Sequence, residues 1–349
     1  MPRIADRYEY VIGVDTHART HTFVAIESRT AAVIGSREFP THSAGLARAV
    51  TWIRNRTSGE VFAAVEGTSS YGAILTATLI DAGIAVGEVR PPSRKQQAVE
   101  GKTDRIDAET AARSVLGREE SRVAVPRSAG DRTALRILLA ARRLLDQQRT
   151  ASRNALTALL RAIDLGIDAR RPITNPTIAV IARWREASGD QVTKVARAEA
   201  RRLARAITDY DTQLKANHSS LDSLVSKLAP GLQDTPGIGP VTAAIICCAY
   251  SHHGRVRSEA AFASLAGVAP QPASSGNTVR HRLNRGGDRQ LNRAFDIIVR
   301  TRLSYDPDTR AYAERSRAQG KSARETRRNL KRYVCRAVFR QLQTTVTSA

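Results

Sequence analysis

The order of apolar runs in the first third of the chain limits the folds open to it more than any other feature. Tyr10-Val-Ile-Gly-Val-Asp15 is short, apolar and rich in β-branched residues, and His21–Ile26 and Ala32–Phe39 follow at hairpin spacing with polar residues between them. Ser43–Arg56 then carries the spacing of an amphipathic helix, Val61–Val65 that of a buried strand, Ser70–Ala82 a second helix and Ile84–Val89 a further strand. Three strands at hairpin spacing, then two reached through helices, predict a mixed sheet in an α/β layer.

The acids in this region fall at telling places. Asp15 ends the first strand and Glu66 the fourth, and carboxylates at the ends of neighbouring strands stand where ligands collect on an α/β sheet. Gly67 and the small Thr68 and Ser69 leave room beside Glu66. Asp104 and Asp107, in Lys102-Thr-Asp-Arg-Ile-Asp-Ala108, share one face if the segment is helical. Four acids without compensating bases repel one another, and divalent cations relieve that repulsion. Oxygen donors suit Mg²⁺ or Mn²⁺, and two such ions about 4 Å apart would serve phosphodiester displacement. Taken singly, Asp15 and Glu66 read as cap or turn residues. Asp104 could cap a helix starting near Arg105 and leave Asp107 on a solvated face. Glu100 and Glu109 read as solvated charges. The joint pattern, in a strand order of the ribonuclease-H-like kind, favours a metal site. His17, His21 and the His252–His253 pair have no metal-ligand spacing with a partner and read as incidental.

From Ser128 the pattern becomes helical. Leu135, Leu138, Leu139, Leu144, Leu145, Leu156, Leu159 and Leu160 mark one long helix, broken around Gly166–Pro176. A second helix runs from about Asp190 to Lys227. Two long amphipathic helices joined by a Pro-containing turn predict either an antiparallel coiled-coil arm or an ordinary bundle. Beyond Pro230, Pro236-Gly-Ile-Gly-Pro240 opens a helix in the manner of a helix-hairpin-helix turn, whose glycines, Gly237 and Gly239, let backbone N–H groups approach a phosphate; a plain structural turn is the competing reading. Ser274-Ser275-Gly276 precedes Arg280, Arg282, Arg285 and Arg289. A serine in a glycine-containing loop is ordinarily a turn former. Beside an arginine cluster it is also a candidate nucleophile, with guanidinium groups on the phosphate oxygens.

Charge narrows the partner class. The net charge is +22, and residues 280–349 supply 18 Lys or Arg against 6 Asp or Glu. Such an excess predicts a polyanionic partner, because a cation placed on a phosphate releases condensed counterions. The three cysteines, Cys247, Cys248 and Cys335, have no disulfide or zinc spacing and fit a reducing cytoplasm. No signal-like or membrane-spanning stretch is present, so a cytoplasmic, nucleoid-associated protein is expected.

Val14-Asp15-Thr-His17, Val65-Glu66-Gly67-Thr68 with Tyr71-Gly72, and Lys102–Ala108 resemble the motifs of the DEDD transposases, the Piv-related insertion-sequence recombinases with a RuvC-like N-terminal domain. Pro236–Pro240, Ala266-Gly-Val-Ala-Pro270, Ser275-Gly276 and Asn284-Arg-Gly-Gly-Asp-Arg289 look like that family's second domain, so the resemblance runs in order along nearly the whole chain. It implies that Asp15, Glu66, Asp104 and Asp107 bind Mg²⁺, with Mn²⁺ as an alternative, and that Ser275 is a catalytic serine, Ser274 being the fallback. It further implies a guide RNA from the element's non-coding end, donor and target DNA as partners, and a dimer or tetramer that joins one protomer's acids to another's serine. The expected architecture is a multidomain α/β plus α protein. A RuvC/ribonuclease-H-like catalytic domain spans 1–127, a helical coiled-coil arm for dimerisation 128–229, and a mostly helical C-terminal domain with the serine and the basic surface 230–349. A Holliday-junction endonuclease would need the four acids and no serine. A non-catalytic nucleic-acid-binding protein would need neither. An actin-like sugar kinase would need a second copy of the fold with its own phosphate loop, which the sequence lacks, and the basic charge argues against it.

Overall fold

A computed structural model describes residues 2–90, 103–127, 130–185, 189–272, 281–282, 284 and 286–345. Two compact units divide the chain, residues 1–129 and 130–349.

The first unit begins with a short helix α1 (Ile4–Arg7) and strands β1 (Tyr10–Thr16), β2 (Thr20–Glu27) and β3 (Val33–Pro40). Helix α2 (Ser43–Arg54), β4 (Val61–Glu66), α3 (Ala73–Asp81), β5 (Ala85–Val89) and α4 (Asp104–Leu116) follow. The sheet order is β3-β2-β1-β4-β5. β1–β2 and β2–β3 are antiparallel; β1–β4 and β4–β5 are parallel. This is the mixed sheet that the spacing of the apolar runs predicts. Its central strands are covered on both sides, which explains their nearly unbroken apolar character. Ile12, Val14, Phe23 and Val65 meet Leu46, Trp52, Leu75 and Leu79 of α2 and α3 on one face. Val11, Val24, Phe62 and Ala64 meet Ala108, Ala112 and Val115 of α4 on the other.

The approach of α4 to β1 is unusually close. A Cβ on Gly13 would lie 1.9 Å from the Ala108 carbonyl oxygen and 2.7 Å from the Ala112 nitrogen. Only a residue without a side chain lets the helix sit there.

The second unit is built on α5 (Asp131–Ala162) and α7 (Gln191–Leu228), with α6 (Asn175–Ala182) between them in sequence. Asn217 Nδ2 donates to the Leu138 carbonyl at 3.0 Å, and Arg149 Nη1 donates to Asp211 Oδ1 at 2.9 Å, so α5 and α7 run antiparallel. The expected break at Gly166–Pro176 lies earlier than it reads: the helix already ends at Ala162, and Pro176 lies in the first turn of α6, which Thr174 caps. Ile178 and Ile181 of α6 share a core with Leu156, Leu160, Leu203 and Ile207. At the other end of the pair, Leu135, Leu221 and Val225 join the core of the C-terminal helices. These helices are α8 (Pro240–Tyr250), α9 (Glu259–Leu265), α10 (Arg289–Tyr305), α11 (Pro307–Ala318) and α12 (Ala323–Thr345). A two-residue ladder of β6 (Gln271–Pro272) and β7 (His281–Arg282) lies between α9 and α10. Cys247 and Cys335 are free and buried, and burial pushes both thiols up to about 12. No helix among the described residues is long and apolar enough to cross a membrane.

Candidate functional site

Alternation along the strands selects the face on which the site forms. Residues two apart on a strand project to the same side. Val11 and Gly13 meet α4, so Asp15 projects to the α4 side as well. Phe62 and Ala64 place Glu66 on that side by the same rule. Val14 pairs with Val65, which sets Asp15 and Glu66 next to each other at the ends of parallel neighbours. Thr16 Oγ1 donates to the Glu66 carbonyl at 2.9 Å and ties the two strand ends together. Gly67, at φ 66°, turns the chain away at once, and its carbonyl accepts the Ser70 and Gly72 N–H groups.

Helix α4 brings the other two acids. Its N-cap is Thr103, whose hydroxyl accepts the Ile106 N–H at 3.2 Å. Asp104 therefore does not serve as the cap; it is the first helical residue, with its side chain exposed. Asp107 is not on a solvated face either: it is 9% exposed, and Asp15 is 8% exposed.

The acids press on one another. Burial pushes the Asp15 carboxyl above its ordinary range; His17 opposes this, and the charges of Asp104 and Asp107 add to it. Burial also pushes Glu66 upward, with Asp15 and Asp107 adding further. Asp168, Asp190, Glu199, Glu259, Asp306 and Glu325, by contrast, are held below their ordinary range by hydrogen bonds and neighbouring cations. Carboxylates raised by burial and by like charge are a mark of functional sites.

His17 is not incidental. Its Nε2 lies 2.9 Å from Asp15 Oδ2 and 3.4 Å from Asp104 Oδ1. Burial lowers the affinity of the ring for a proton, but the two carboxylates outweigh this and the net shift is upward. Donor atoms of Asp15, His17 and Asp104 all lie within 4.8 Å of one another, a spacing that one divalent cation can span. The donor set, acids with one imidazole, fits a divalent metal. Spacing between histidines gives no sign of His17. The signal was its position two residues after Asp15 on the same strand edge.

The C-terminal expectations divide. Gly237, at φ 81°, packs where a Cβ would lie 2.8 Å from the Ile298 carbonyl oxygen. The Gly239 N–H donates to Thr242 Oγ1 at 3.1 Å, so that amide already has an acceptor. Arg289 is the exposed first residue of α10. Ser274, Ser275, Arg280 and Arg285 lie outside the described residues, and of Arg282 the backbone alone is described, in β7.

The two segments that flank the serines are tightly joined. The Asp288 N–H donates to the Leu265 carbonyl at 2.6 Å, and Asn292 Nδ2 donates to the carbonyls of Ala266 and Gly267 at 2.8 and 3.2 Å. Asn292 Oδ1 accepts from the buried Lys331 at 3.3 Å. A Cβ on Gly287 would lie 2.5 Å from the Leu265 carbonyl oxygen, so the Ala266–Pro270 and Asn284–Arg289 motifs interlock.

The chain is similar in sequence to known proteins. Residues 12–164 match the IS110-type DEDD family, described as "Transposase", and residues 229–314 match the "Transposase IS116/IS110/IS902 family". A 144-residue stretch is 32% identical to the insertion element IS110 uncharacterized 43.6 kDa protein of Streptomyces coelicolor, covering 40% of this chain and 36% of that protein. An alignment of 361 positions gives 27% identity to the insertion element IS900 uncharacterized 42 kDa protein of Mycobacterium paratuberculosis, covering 88% of this chain and 89% of that relative.

Proposed function

Since the chain belongs to the IS116/IS110/IS902 transposase family, we propose that it cuts and rejoins DNA at a metal site formed by Asp15, Glu66, Asp104 and Asp107, with Ser275 as the nucleophile. The observation that carries this reading is the meeting of Asp15, Asp104 and the electrostatically coupled Glu66 and Asp107 at the ends of β1 and β4. The sheet order β3-β2-β1-β4-β5, with acids at the ends of its parallel strands, supports a ribonuclease-H-like, RuvC-related catalytic domain.

Asp15, Glu66, Asp104 and Asp107 would hold the cation, Mg²⁺ or Mn²⁺, which would supply charge neutralisation and polarisation at the scissile phosphate. The chain's residues do the rest. Thr16 and Thr103 fix the strand ends and the helix start from which the acids project. Ser275 Oγ forms a bond to phosphorus as the P–O bond to one deoxyribose breaks; the serine gives up its proton and the leaving oxygen gains one. Strand exchange then reverses the step with a different hydroxyl. Arg280, Arg282, Arg285 and Arg289 neutralise phosphates on either side. The antiparallel α5–α7 pair serves as a coiled-coil arm for a dimer or tetramer. A structured RNA from the element selects both DNA partners by base pairing, while the protein reads RNA shape and backbone.

The test is a nicked suicide substrate incubated with full-length protein and Mg²⁺. Wild type is expected to give a denaturant-resistant protein–DNA adduct. Ser275→Ala should abolish it, and Asp15→Asn should lower it by more than about a hundredfold. An undiminished adduct in Ser275→Ala would move the nucleophile elsewhere; an undiminished one in Asp15→Asn would remove the metal site from the reaction.

A further inference from the structure

Resting on the reading of the acid cluster as a divalent-cation site, we propose that His17 is itself a ligand of that cation, making the site a mixed nitrogen–oxygen centre that holds Mn²⁺ in preference to Mg²⁺. The argument begins with spacing. Six ligands at about 2.1 Å from an octahedral ion stand about 3.0 Å apart when adjacent and about 4.2 Å apart when opposite. His17 Nε2 is 2.9 Å from Asp15 Oδ2 and 3.4 Å from Asp104 Oδ1, so both separations fall near an octahedral edge. The three donor atoms lie within 4.8 Å of one another, so the two acids need at most a small adjustment to share one coordination shell with His17.

A histidine that only orients a ligand sits differently. Such a ring needs a hydrogen bond to only one carboxylate. His17 instead reaches oxygens of two acids on two elements, β1 and α4, so its nitrogen lies between them. The backbone favours that placement: the His17 N–H donates to the Thr20 carbonyl at 3.2 Å and closes the β1–β2 turn beside Asp15. The His17 side chain is 51% exposed, while Asp15 is nearly buried, so the imidazole stands on the open side of the cluster.

The choice of metal follows from the donor. Mg²⁺ keeps oxygen ligands and gains little from an imidazole, whereas Mn²⁺ accepts carboxylate and imidazole together. One imidazole among acids therefore tilts the site toward Mn²⁺ without excluding Mg²⁺.

The experiment loads full-length protein with Mn²⁺ alone and records the electron spin echo modulation. Wild type is expected to show ¹⁴N coupling from a directly bound imidazole, altered when histidine is labelled with ¹⁵N. His17→Asn should lose the coupling and weaken Mn²⁺ binding by at least about tenfold, with a smaller effect on Mg²⁺. Mn²⁺ that requires Asp15 for binding yet shows no nitrogen coupling in wild type would overturn the proposal for His17 and leave the carboxylate site standing; His17 would then be a counter-ion to the acids. Mn²⁺ binding indifferent to Asp15→Asn would overturn both. The wild-type spectrum separates a bound from an unbound imidazole whether or not any variant folds.

Discussion

Glu66 closes a strand whose preceding residues are buried, and its carboxyl is raised first by that burial and then by Asp15 and Asp107. A group whose folded-state pKa lies above its ordinary value adds stability below that value and loses it as pH rises through the raised one. At neutral pH, therefore, the ionised Glu66 of the metal-free protein costs stability, and a bound cation recovers it. Glu66→Gln keeps shape and removes charge. We expect it to stabilise the metal-free protein and to raise its Tm. It should also abolish the further rise that Mg²⁺ or Mn²⁺ gives wild type. Differential scanning fluorimetry with chelator and with each ion checks both; a lower Tm for Glu66→Gln in chelator would show that the charge is compensated within the protein. At this scale the sequence discloses the acids because they end apolar runs. It discloses His17 less readily, since a histidine two residues after an acid becomes meaningful only once both are on one strand edge facing a helix.

At the level of elements, β1 and α4 form the site together, and their contact depends on Gly13. Any side chain there meets the Ala108 carbonyl and the Ala112 nitrogen, neither of which can turn aside. Gly13→Ala should lift α4 off the sheet and carry Asp104 and Asp107 with it. A destabilisation of about 1–3 kcal/mol is expected from overpacking. A displacement near 1 Å would lower strand transfer by about a hundredfold. A thermal melt and a strand-transfer assay at a temperature where the variant is folded separate the two effects; wild-type transfer in Gly13→Ala would show that α4 does not set the site's geometry. The strands and long helices were legible because their periodicity runs over many residues. Helix α6 was not, because its two turns follow a loop with Gly166 and Pro172 and carry only Ile178 and Ile181 as buried anchors. The interlock of Gly287 with Leu265, and of Asn292 with the Ala266–Gly267 turn, joins segments too far apart for local pattern to reveal.

Across the whole molecule, charge is the property most directly readable from sequence, and it constrains binding more than fold. Helices α11 and α12 carry part of the basic excess of residues 280–349, with Arg317 and Arg324 both exposed. If this surface lies along a phosphate backbone, the logarithm of the binding constant should fall linearly with the logarithm of salt concentration. Six or more phosphate contacts would give a slope of at least about 5, and a loss of about a thousandfold or more between 50 and 200 mM salt. Replacing Arg317 and Arg324 by Ala should reduce the slope by about 2 and weaken all sequences alike, because phosphate contacts position without specifying. Fluorescence anisotropy on matched and scrambled duplexes and RNA hairpins, each over a salt series, provides the measurement. An unchanged slope in the double variant would place the polyanion on another face. A loss confined to one sequence would make these arginines readers of bases, and the charge of the C-terminal fifth would then act in recognition as well as in attraction.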